Sequence, residues 1–196
     1  MKPLLSLLAI LCLGPCLRAA PEKLLVLAQD FQFPGGWMTE TRAGSLGTRV
    51  LRTPGTDLDA LVAVNVSSKS EYAVWARALD FTHERPGARR FTVEVNGARL
   101  PGEAGDHGHD GWAWERLGAV RLDAGETMIG LVDTARFFGR CDAILLSADP
   151  EFDPNAQSRA ALLRLKVEPV TLAAEAASAA APPPVAVPAT AGREVA

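Results

Sequence analysis

The stretch Ser70-Glu71-Tyr72-Ala73-Val74-Trp75-Ala76-Arg77-Ala78-Leu79-Asp80 decides the fold. Read with the period of two that a pleated strand imposes, it places Tyr72, Val74, Ala76 and Ala78 on one face. Glu71, Ala73, Trp75, Arg77 and Leu79 fall on the other. Aromatic and β-branched residues stand at its centre, so it reads as a long central strand. Its apolar face needs a second layer, and the neighbouring segments, all short and strand-like, can supply one only as another sheet. The expected fold is an all-β, antiparallel β-sandwich.

Working outward, Lys23 to Ala28 reads as a first strand, followed by the loop Phe33-Pro34-Gly35-Gly36-Trp37, where proline and two glycines break regular structure. Thr48 to Arg52 and Ala60 to Val66 supply further strands. In Arg90 to Val95, Phe91, Val93 and Val95 alternate with polar residues, the pattern of a half-buried strand. Asn96-Gly97 then predicts a two-residue hairpin, because both central positions of a type I′ turn need positive φ. Four glycines between Gly102 and Gly111 make that segment a loop. Trp112 to Leu122, Thr127 to Val132 and Arg140 to Ser147 complete the strands, with Phe137-Phe138-Gly139 in a loop between the last two.

The chain has 196 residues, 48% hydrophobic, with a net charge of -3, which suits one domain with short appendages. Basic residues are scattered along the chain, leaving no footprint for nucleic acid. Residues 1–20 read as a signal peptide, with Lys2 before an apolar run to Leu17 that is short for a membrane span. The chain is therefore expected to be secreted or periplasmic, of bacterial type, with no other membrane association. Pro15 before Cys16 speaks against lipoprotein anchoring. Cys141 is the one cysteine left after that segment, and its apolar neighbours Ala143 to Leu146 point to a buried core residue. The sandwich is assigned to residues 21–150. Residues 151–168 carry a short helix, drawn over Ala156 to Lys166 with Asp153 as cap and Pro154 in its first turn. Residues 169–196, rich in alanine and proline, read as a disordered tail or linker.

The succession Phe33-Pro34-Gly35-Gly36-Trp37, Tyr72 to Arg77, Trp112-Ala113-Trp114-Glu115, Leu122 to Glu126 and Arg140 to Leu146 resembles the galactose-binding-like jelly rolls. These occur as carbohydrate-binding modules, and as accessory domains of secreted polysaccharide-degrading enzymes and of some FAD-dependent oxidoreductases. The resemblance spans about Leu24 to Pro150. It implies a structural calcium held by a Glu-Ala-Glu triplet and an aspartate near the last strand. Here Leu27-Ala28-Gln29 stands at the triplet, with Asp30 and Asp142 retained, and calcium prefers six to eight oxygens with several charges. No Gly-rich fingerprint implies a bound FAD.

Sugar rings present C–H faces that stack on aromatic side chains, while their hydroxyls bond polar groups. Trp37, Trp112 and Trp114 are the candidate platforms, with His109, Asp110 and Arg140 as polar partners, and Trp75 is assigned to the core. Asp106-His107-Gly108-His109-Asp110 could hold a divalent ion only with a third ligand such as His83, so His107 and His109 are weak metal candidates beside Asp30 and Asp142. Arg85, Arg89 and Arg90 read as a solvated surface. No G-x-S-x-G nucleophile motif and no assignable carboxylate pair is present. The leading expectation is a noncatalytic module binding polysaccharide or cell-wall glycan. The alternatives are an accessory domain docking on a secreted enzyme, and a metal-dependent hydrolase centred on His107 and His109.

Overall fold

The structure, a computed structural model, describes residues 20–171. The segment expected as a signal peptide, up to residue 19, and the expected tail from residue 172 lie outside the described residues. Among the described residues, ten strands form two antiparallel sheets. The larger has the order β2 (Met38–Glu40), β3 (Val50–Arg52), β10 (Arg140–Ser147), β5 (Ser70–Asp80), β8 (Gly111–Leu122), and β1 (Lys23–Leu27) pairs with the rest of β10. The smaller has the order β4 (Ala60–Val66), β9 (Gly125–Asp133), β6 (Phe91–Val95), β7 (Ala98–Arg99).

The alternation of β5 sets the layers. Tyr72, Val74, Ala76 and Ala78 enter the core between the sheets, where they meet Val62, Val64, Phe91, Val93, Ile129 and Leu131. β10 is buried on both faces: Ile144 and Leu146 join that core, while Ala143 and Leu145 face outward into a second cluster with Leu25, Leu27, Leu46, Trp114 and Leu162. A strand covered on both sides reads as a continuous apolar run, as Ala143 to Leu146 does. Cys141 is fully buried beside them, and burial pushes its thiol well above the ordinary range. The Asn96-Gly97 turn has φ of 50° and 78°, as a type I′ turn requires.

The second cluster exists because the chain returns across the outer face of the larger sheet after β10. The expected helix is shorter than drawn. Asp153 caps a 3-10 turn, Pro154–Ala156, and Ser158 then caps a separate helix, α1 (Arg159–Leu163), its hydroxyl accepting from the Ala161 N–H. Two caps five residues apart divide what reads as one segment. Beyond α1 the chain straps the sheet edges. The Leu165 carbonyl accepts from the Leu25 N–H at 2.9 Å, the Val167 N–H donates to the Leu25 carbonyl at 3.0 Å, and the Val170 N–H donates to the Ala63 carbonyl at 2.8 Å. The tail expected from residue 169 therefore has its second residue, Val170, paired to β4. A chain ending at Arg164 loses these three bonds, each worth about 1 kcal/mol. Its unfolding midpoint in urea is expected to drop correspondingly, and an unchanged midpoint would show that the strap contributes nothing.

Candidate functional site

The strand directions bring loops 28–37, 53–59, 81–90, 100–110 and 134–139 to one end of the sandwich, where they brace one another. The Thr53 hydroxyl donates to Asp133 at 2.5 Å and its N–H to the Gly139 carbonyl at 2.9 Å. The N–H groups of Gly87 and Gly108 both donate to Asp80 at 3.1 Å, and the Thr82 N–H donates to Asp110 at 2.6 Å. Arg89 is the keystone. It was expected in solvent, yet it is buried beneath these loops, with its guanidinium 4.7 Å from the Phe81 ring centre and 5.5 Å from that of Phe137. A guanidinium is weakly hydrated and stacks on aromatic faces, so the two rings tolerate it where they would not tolerate an ammonium.

At the rim of this end, Phe138 is 40% exposed and stands with φ of +50°. Its ring meets Phe137 edge-on at 5.2 Å and carries the Arg52 guanidinium at 5.2 Å. Arg136, two residues before it, and Arg85, stacked 4.7 Å from Phe137, also have positive φ. Non-glycine residues in this region are strained by about 1–3 kcal/mol each, and such strain clusters at ligand-binding loops. Beside Phe138, one carboxylate gathers three guanidinium groups: Glu40 lies 2.8 Å from Arg42, 3.1 Å from Arg52 and 2.6 Å from Arg140. Partial burial pushes the Glu40 carboxyl up, but the hydrogen bonds from Arg42 and Arg140 outweigh it and hold the carboxyl below its ordinary value. The local surplus of charge is positive beside an exposed aromatic ring.

The sequence-derived candidates are distributed differently from expectation. Trp37 is buried, edge-on to Phe91 at 5.7 Å. The glycines before it do not present the ring but tuck it in: Gly35 has φ of +54°, and a Cβ there would lie 2.1 Å from the Asp59 carbonyl oxygen. Trp114 is also buried, capped by Asn155, whose side-chain amide pairs with both the N–H and the carbonyl of Trp114 at 3.0 Å. Neither ring can carry a sugar. Trp112 does share a face with Trp114, and a cleft of ≈ 180 Å³ runs between them, Arg77, Gln157 and Arg159. Yet Trp112 is half-buried, with its indole N–H donated to the Ala43 carbonyl at 3.0 Å. Trp75, assigned to the core, packs instead on the outer cluster and is half-buried. Arg140 is buried beside Phe138 and Glu40 rather than standing with Trp112. Phe138, Arg42 and Arg52 are not among the candidates read from the sequence, although a Phe-Phe-Gly loop between two strands is a legible signal for an exposed aromatic.

His109 and Asp110 lie in the loop just before β8. Asp110 is held below its ordinary value chiefly by the Thr82 N–H, and His83 lies 3.6 Å from it. His107 and His109 approach through their Nδ1 atoms at 2.5 Å. Among the described residues no three His, Cys, Asp or Glu side chains are placed to hold a metal ion together.

The residues implied for calcium do not fit one. Asp142 accepts from the Leu46 N–H and pairs with Arg77, while burial, partly offset by these partners, raises its carboxyl. Gln29 accepts from the N–H and hydroxyl of Thr48 at 2.7 and 2.8 Å, and Asp30 lies 3.5 Å from Lys166. Leu27 is an apolar member of the outer cluster.

No protein-family model and no curated protein sequence matches the chain. Solved structures do match its fold. The family 35 carbohydrate-binding module of Clostridium thermocellum is 15% identical with a TM-score of 0.53, covering 63% of this chain and 98% of the module. The corresponding module of Paenibacillus barcinonensis is 18% identical with a TM-score of 0.53, covering 64% and 98%. The GH26-CBM35 β-(1,4)-mannanase of Podospora anserina is 18% identical with a TM-score of 0.55, covering 68% of this chain, which spans only 29% of the mannanase. The chain thus has the jelly-roll sandwich that the sequence resemblance implied.

Proposed function

We propose that the chain is a secreted, noncatalytic module that binds a polysaccharide or cell-wall glycan at the loop end of the sandwich. Phe138 provides the stacking face, and Arg42 and Arg52 provide donors to the sugar hydroxyls. The observation that carries this reading is the exposed, strained and braced ring of Phe138, held open to solvent by Phe137 and Arg52 instead of folding into the core. The two neighbours matched along nearly their whole length are carbohydrate-binding modules by name, which supports the same reading.

A second reading draws on Met38 and Leu58, which are also exposed large apolar side chains; with Phe138 they would suit an accessory domain docking on an enzyme. A glycan array probed with the full chain separates the two. Saturable binding to a defined set of glycans is expected. Silence across neutral and acidic polysaccharides alike would overturn the glycan reading in favour of protein docking.

A further inference from the structure

We infer that an internal clamp of two guanidinium groups, those of Arg77 and Arg159, holds segment 44–48 in place of the divalent cation that the jelly-roll resemblance implies, and that the domain is therefore indifferent to divalent cations. The segment crosses the outer face of the larger sheet, where Leu46 is buried in the outer cluster. Its polar groups are matched almost completely by the protein itself. Arg77 donates to the Gly44 carbonyl at 3.1 Å and also to Asp142. Arg159 reaches over from α1 and donates to the Ser45 carbonyl and, at 2.6 Å, to the Leu46 carbonyl. The Leu46 N–H donates to Asp142 at 2.8 Å, and the Thr48 N–H to Gln29 at 2.7 Å.

A calcium ion needs oxygens whose lone pairs are free, and charge to offset its own. Here three backbone carbonyls already accept from guanidinium groups, the one buried carboxylate is neutralised by Arg77, and the triplet position contributes a leucine and an amide. A divalent ion at this place would sit against two fixed positive charges. The donor set is that of a cation site whose cation is built into the chain. Because Arg159 belongs to α1, the same clamp couples docking of the C-terminal segment to the conformation of segment 44–48.

The inference is independent of glycan binding and is tested by thermal unfolding of the full chain. The midpoint is expected to be the same in chelator and in millimolar calcium chloride. A midpoint that falls in chelator, or rises by several degrees with added calcium, would overturn it. Arg159→Ala is expected to lower the midpoint by roughly 5 °C through two carbonyls stripped of their donors, and Arg159→Lys by less. If Arg159→Ala proves too unstable to purify, Arg159→Lys gives the reading. A midpoint equal to that of the unaltered chain in whichever variant is measured would show that no clamp exists.

Discussion

Arg89→Ala is expected to remove about 3–5 kcal/mol of folding stability, a large part of the total a domain of this size commands. Arg89 is only 2% exposed, and its Nη1 lies 3.6 Å from Asp80, which is wholly buried. The same guanidinium donates to the Glu84 carbonyl at 2.6 Å and to the Glu84 carboxylate at 3.1 Å. Truncation leaves Asp80 as a buried charge opposed only by the amides of Gly87 and Gly108, and leaves Phe81 and Phe137 facing a void. Arg89→Lys restores the charge without the planar fork, so it is expected to recover only a minor part. Urea denaturation checks both, and a loss below about 1 kcal/mol for Arg89→Ala would show that the loops hold without their keystone.

Trp37→Ala is expected to cost about 3–5 kcal/mol as well, by a different route: a large cavity beside Phe91 in the core between the sheets. The expected phenotype is loss of stability, not selective loss of ligand binding by a folded protein. Its indole N–H is buried and finds no hydrogen-bond partner among the described residues. Trp37→Phe removes that unpaired donor along with part of the volume, so it is expected to cost much less than the alanine variant. Equal losses for the two would mean that the ring volume beyond phenylalanine carries the packing.

Where periodicity governs, the sequence was a sufficient guide. Ser70–Asp80 and Arg140–Ser147 form strands over the whole stretches read from alternation and apolar run, and the inward set Tyr72, Val74, Ala76, Ala78 is the one buried in the core. Phe91, Val93 and Val95 face inward for the same reason. The failures share a cause. β2 is a three-residue edge strand with an exposed centre, too short to show a period. Trp37 and Arg89 sit in segments with turn composition, and each is buried with the help of a ring distant in sequence: Phe91 for the first, Phe137 for the second. Glycine beside an aromatic signals a tight path, and that path can lead inward as readily as outward. The outer layer made by α1 was equally hidden, since nothing local says that Leu162 will cover Trp114 and Leu145. That layer covers Trp114, whereas Phe138, in a loop with no such cover, stays exposed.

The central claim is that the loop end around Phe138, and not the Trp112 cleft, carries the ligand. Its most direct test is the affinity of the full chain for the best glycan from the array, compared with Phe138→Ala and Trp112→Ala variants shown to be folded. Loss of one aromatic stacking face, about 1.4 kcal/mol, predicts an affinity roughly tenfold lower for Phe138→Ala. Trp112→Ala is predicted to bind as the unaltered chain does. Undiminished binding by a folded Phe138→Ala protein, or a loss confined to Trp112→Ala, would contradict the account.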